Sequence, residues 1–156
     1  MDSEVRYYTP AEHSSKFLLQ NTAKYITIWT IVTNLFIIVG IGHGILPLGL
    51  IEVMFILRII SQNLNLNSSE QYSILFLSIF SLLGQLHLFI SLFFKDIKIS
   101  LGIKWIGLIF MWVGFIIWPT IHFDFLFSWL FSIPFIICSI KLFLVLLRIP
   151  SAKSNI

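Results

Sequence analysis

Five apolar runs constrain the fold of this sequence more than any other feature, because most of them approach the length of a membrane-crossing helix. About 20 residues of α-helix are needed to cross the ~30 Å hydrocarbon core of a bilayer. The runs cover residues 25–41, 45–60, 72–94, 101–118 and 125–147. The third and fifth are long enough and the first and fourth are adequate. The second is short and contains Glu52 and Arg58.

The composition agrees with an apolar solvent around much of the chain. Of the 156 residues, 58% are hydrophobic and only 11% are charged, which is about half the charged share of a soluble domain. A water-soluble domain of this size could not bury so much apolar surface. We therefore expect an all-α, polytopic transmembrane helical bundle with five membrane helices. The alternative is four spans plus a short re-entrant segment at residues 46–60.

Polar segments at both ends flank this bundle. The predicted parts are a polar N-terminal segment at 1–24, a transmembrane domain at 25–147 and a C-terminal tail at 148–156. In the first part, Thr9, Pro10 and Glu12 fit the pattern of a capping box. They predict a short helix ending near Gln20, which either lies on the membrane surface or runs straight into the first span.

Basic residues predict how the bundle is oriented, because lysine and arginine concentrate on the cytoplasmic side of membrane proteins. They gather around the break between the third and fourth runs and at the end of the fifth run, at Lys95, Lys98, Lys104, Lys141, Arg148 and Lys153. Two crossings separate these groups, so both are expected in the cytoplasm, together with the C-terminus. Five spans place the N-terminus outside, whereas four spans place it in the cytoplasm with Lys16 and Lys24. The expected location is a plasma or inner membrane.

Four polar residues in or beside the apolar runs form the candidate site, because ionisable groups inside a membrane are costly and often functional. They are His43, Glu52, Gln85 and His87. A five-span topology brings all four into the inner half of the bundle, whereas four spans move His43 to the outer side. A Glu52–His87 pair is able to relay protons, bind a cation or hold a head group. The structural interpretation is a hydrogen bond that joins two helices.

No cofactor and no metal site is predicted from the motifs. A further hypothesis is that His43 and His87 are the axial ligands of a b-type haem held between helices. Motifs for nucleophilic, phosphate-binding, zinc-protease and dinucleotide chemistry are missing from the sequence.

Small polar residues recur at helical spacing in several runs. They are Thr27, Thr30 and Asn34; Ser78, Ser81 and Gln85; Ser128, Ser132 and Ser139; and Gly107 with Gly114. Close backbone approach and side-chain hydrogen bonds drive helix association in lipid. These stripes therefore predict helix packing, within the chain or against a partner.

Three functional hypotheses follow. The favoured one is a non-catalytic accessory, assembly or protective protein that binds a membrane protein or another copy of itself in the bilayer. The others are an intramembrane enzyme or redox protein acting on a lipid-like substrate, and a small proton-coupled transporter. Nucleic acid is not an expected partner, because the cations are few and dispersed along the chain.

Overall fold

The computed structural model describes residues 10–41, 44–60, 69–117 and 125–151. These parts contain five helices and one antiparallel two-stranded hairpin. In chain order they are α1 (Pro10–Leu35), β1 (Ile38–Ile41), β2 (Gly44–Pro47), α2 (Leu48–Ile60), α3 (Ser69–Ser91), α4 (Ile97–Ile117) and α5 (Phe125–Ser151).

Three of the helices are long and apolar enough to cross a membrane, and they correspond to the third, fourth and fifth apolar runs. Their candidate spans are Ile74–Ser91, Ile97–Ile116 and Trp129–Ile149. They indicate a membrane-embedded protein, as the composition predicts. The prediction of five membrane helices is not confirmed. The polar N-terminal segment takes up the first half of α1, and α2 has only 13 residues, which corresponds to about 20 Å of helix.

The first apolar run is not one continuous helix. The predicted N-terminal helix passes Gln20 and continues to Leu35 as α1, while its predicted cap, Thr9, lies outside the described residues. The chain then turns into the hairpin, in which Ile38 pairs with Pro47 and Ile41 with Gly44. Glycine and proline are poor helix formers, so the Gly-rich joint ends the helix before the run itself ends.

The hairpin returns the chain to the end of α1. The backbone amide of Leu48 donates a hydrogen bond of 2.7 Å to the carbonyl oxygen of Ile37. Leu48 is almost fully buried, and Gly49 lies against Leu35. The start of α2 is therefore fixed beside the end of α1, and α2 packs on α3 as well as on α1.

The five helices pack mainly as two pairs, α3 with α4 and α1 with α5. Phe135, Leu142 and Leu146 of α5 and Leu88 of α3 have no exposed surface. Most of the other large apolar side chains face outward, as expected for helices in lipid. The core is therefore a narrow seam between helices.

One end of the bundle is basic. Lys24 of α1, Lys95 of the α3–α4 turn, Lys104 of α4 and Ile149 of α5 all line one cavity there. We call this the basic end. The start of the apolar part of α1, the α3–α4 turn and the end of α5 therefore lie together.

Helices α3 and α4 approach each other closely where two glycines face each other. A Cβ atom on Gly107 would lie 2.9 Å from the carbonyl oxygen of Gly84, and one on Gly84 would lie 2.8 Å from the carbonyl oxygen of Gly107. Backbone therefore packs directly on backbone, as the small residues of membrane helices permit. Gly114 makes a similar close approach to Phe80.

We expect Gly107→Ala to destabilise the protein by about 1–3 kcal/mol, because the added methyl group forces α3 and α4 apart. Gly102→Ala is the matched control on the same helix, since a Cβ atom at Gly102 would meet nothing within 4 Å. Thermal unfolding in detergent, followed by circular dichroism, measures both. Equal melting temperatures for the two variants would contradict this packing.

Candidate functional site

Four buried polar side chains meet where α1, α2 and α3 come together. They are Asn34 of α1, Glu52 of α2, and Ser81 and Gln85 of α3, which we call the polar network. Their exposed fractions are 2%, 3%, 2% and 8%. All four are therefore removed from the surface, although each is a strongly polar group.

Local structure accounts for this meeting. Ser81 and Gln85 are four residues apart on α3, so they lie on the same face of that helix. Asn34 stands one residue before the end of α1, and Glu52 lies in the second turn of α2. Because the hairpin folds α2 back against the end of α1, both side chains reach the same face of α3.

The polar network is continuous in its hydrogen bonds. Gln85 Nε2 donates to Glu52 Oε1 and Oε2 at 3.0 and 3.1 Å, and it lies 3.2 Å from Ser81 Oγ. Asn34 Nδ2 donates to Ser81 Oγ at 2.5 Å. Ser81 and Gln85 are thus the central residues, because each contacts two of the other three.

The network joins three helices by contacts that would be lost if any one helix moved away. Unpaired polar groups in an apolar environment cost several kcal/mol, so the four side chains hold one another in place. The observed hydrogen-bond donor to the Glu52 carboxylate is the neutral amide group of Gln85. Among the described residues no cation forms an ion pair with it.

The structure brings together only part of the predicted cluster. Glu52 and Gln85 are in direct contact, but His87 is not near the carboxylate. Its Nδ1 lies 2.7 Å from the carbonyl oxygen of Leu83, and its ring packs 5.5 Å from that of Phe110 on α4. Residues 85 and 87 are separated by about 200° around a helix, so they point to opposite sides. His43 lies outside the described residues.

Asn34 and Ser81 were predicted only as packing residues and not as members of this site. The signal was the helical spacing of the stripes on α1 and α3. Thr27 and Thr30 on α1 and Ser78 on α3 are also buried, which confirms that both stripes pack against other helices. What the stripes do not reveal is which pair meets across the interface.

No metal centre is evident in the parts of the chain that the structure describes. There, no group of three or more histidine, cysteine, aspartate or glutamate side chains could hold an ion. The haem hypothesis involves His43, so its geometry falls outside these parts and it stays a prediction.

Profiles of known protein families, curated proteins and solved structures were all compared with the chain, and none of them matches it.

We expect Ser81→Ala to lower the free energy of unfolding by about 0.6–2 kcal/mol, because the Asn34 amide loses its acceptor. Ser78→Ala is the matched control one turn earlier on the same face. Its hydroxyl is buried but has no hydrogen-bond partner among the described residues, so removing it costs little. Unfolding in a denaturing detergent measures both variants. A larger loss for Ser78→Ala would contradict the assignment.

Proposed function

We propose that this chain is a multi-pass membrane protein with a non-catalytic role, as an accessory, assembly or protective protein that binds another membrane protein in the bilayer. The observation that carries the proposal is the closed polar network. Its one carboxylate is bound by side chains of the same chain, so it acts as a structural link between helices.

The surroundings of Glu52 support this interpretation. A catalytic acid or base must reach the proton of a bound substrate. A groove between α4 and α5 is lined by Trp105, Leu108, Ile109, Trp112, Ile140 and Phe143. Neither this groove nor the cavity at the basic end includes Asn34, Glu52, Ser81 or Gln85 among its described lining residues, so the network lies apart from these two openings.

The outward face of α2 is our candidate for the partner contact. Leu50, Val53, Met54 and Leu57 follow the i, i+3, i+4, i+7 spacing of one helix face, and each has about half of its surface exposed. The opposite face carries Ile51 and Glu52 and is buried. Because α2 is short and fixed to α3, it offers a rigid apolar surface to a helix of the partner.

The arrangement of charges favours four crossings over five. In this topology α1, the hairpin and α2 together make one net crossing, and residues 46–60 form the re-entrant segment. Lys24 lines the same cavity as Lys95 and Lys104. The start of the first crossing and the end of the last are then on one side, which requires an even number of crossings. The positive-inside rule assigns that side to the cytoplasm.

Cysteine labelling in sealed vesicles tests this topology. In a background that carries Cys138→Ala, we expect Ser3→Cys and Lys95→Cys to react with an impermeant reagent from the same side. Asn67→Cys should react only from the other side. Labelling of position 3 from the side opposite position 95 would contradict four crossings and support five.

Site-specific photo-crosslinking in native membranes tests the partner surface. We expect a probe at Val53 or Leu57 to give one discrete adduct with the same membrane protein in repeated preparations. A probe at Ile106, an exposed apolar residue of α4, is the matched control and should give only lipid adducts. Identical adducts from positions 53 and 106, or none at all, would contradict the proposal.

Glu52→Gln separates a structural role from proton chemistry. Glutamine keeps the size of the side chain and one oxygen that accepts from Gln85, so we expect the partner adduct to form as before. A proton-coupled carrier or an acid–base enzyme would instead lose activity in this variant. Loss of a proton-dependent flux in liposomes, with the adduct retained, would contradict the proposed role.

A further inference from the structure

The cavity at the basic end, which we call the basic cavity, combines positive charge with apolar walls. Its volume is about 500 Å³, and its described lining includes three lysines, Lys24, Lys95 and Lys104. No described aspartate or glutamate lines it. The remaining walls are mainly apolar and come from α1, the α3–α4 turn, the first turns of α4 and the last turns of α5.

Lys104 is the most informative of these residues, because only 5% of its surface is exposed. Its Nζ donates to Ser100 Oγ, and the Ser100 hydroxyl in turn donates to the carbonyl oxygen of Ser91 at 2.8 Å. Both groups are neutral. Among the described residues no carboxylate forms an ion pair with Lys104.

The nearest acid in the sequence has another role. Asp96 Oδ1 accepts a hydrogen bond of 2.8 Å from the backbone amide of Lys98 and so caps the start of α4. Its side chain is exposed. A buried ammonium group without a counter-charge is costly, so the cavity favours an anion beside Lys104.

A second opening extends along the same two helices. It is an almost wholly apolar groove of about 340 Å³ between α4 and α5, lined by Trp105, Leu108, Ile109, Trp112, Ile140 and Phe143. Leu101 and Leu146 line the basic cavity, and Trp105 and Phe143 line the groove. Leu101 is one helical turn from Trp105 on α4, and Leu146 is nearly one turn from Phe143 on α5. The groove therefore continues deeper into the bundle from the level of the lysines.

We propose that the basic cavity binds the phosphate head group of an anionic lipid, with one acyl chain in the groove between α4 and α5. Basic pockets between membrane helices suit such head groups, and lysine binds phosphate as a point charge. The apolar groove supplies the reason why the ligand is a lipid rather than free phosphate. This site is separate from the proposed partner surface on α2.

Native mass spectrometry of the purified full chain in detergent tests the lipid site. The probes are long-chain phosphatidylglycerol, phosphatidylcholine with matched chains, short-chain phosphatidylglycerol and inorganic phosphate. We expect retention of long-chain phosphatidylglycerol with at least about fivefold preference over phosphatidylcholine, as one lysine contact would supply. Equal retention of both lipids would overturn the proposal. Binding of inorganic phosphate with the same affinity as the long-chain lipid would identify a free-anion site and also overturn it.

Lysine variants locate the binding. We expect Lys104→Met to lose at least about fivefold in affinity for phosphatidylglycerol, while Lys141→Met stays unchanged, because Lys141 is exposed and does not line the cavity. If Lys104→Met does not fold, a variant that combines Lys24→Gln with Lys95→Gln replaces it, because both lysines line the cavity and are exposed. We expect the same loss of affinity for phosphatidylglycerol in that variant. Wild-type affinity in the folded cavity variant would overturn the assignment, and so would an equal loss in Lys141→Met.

Discussion

The need to pair buried polar groups governs this structure, because the helices lie in an environment that offers them no water. Asn34, Glu52, Ser81 and Gln85 satisfy that need together. The network joins α1 and α2 to α3. These two helices are the least able to cross a membrane by themselves, because the first half of α1 is polar and α2 is short. The network thus fixes α2 and the end of α1 on α3, while α1 packs mainly along α5.

Close backbone packing complements the network on a neighbouring face of α3. Gly84 and Gly107 let α4 approach that face, while Ser81 and Gln85 turn toward α1 and α2. Since lipid provides no hydrophobic drive between helices, shape and hydrogen bonds have to supply the association. Two openings lined by described residues differ in character. The groove between α4 and α5 has apolar walls, and the cavity at the basic end holds charge that the described residues leave uncompensated.

Much of the architecture could be predicted from the sequence because length and apolarity alone define a long helix in lipid. The third to fifth runs became α3, α4 and α5, with α4 beginning at Ile97 because Asp96 caps it. The hairpin could not be predicted, since a short apolar stretch fits a strand as well as a helix. Glu52 and Gln85 were recognised by the cost of burying them. His87 was grouped with them by depth, and depth ignores the rotation between neighbouring positions on a helix. Asn34 and Ser81 were recognised only as packing residues, because contact across an interface depends on the tertiary fold.

The polar network should couple α2 energetically to α3. A double-mutant cycle with Glu52→Ala, Gln85→Ala and the combined variant tests it most directly, with the free energy of unfolding in detergent as the measured quantity. We expect a coupling energy of about 0.6–2 kcal/mol between the two positions. Additive effects, with a coupling below about 0.3 kcal/mol, would contradict it.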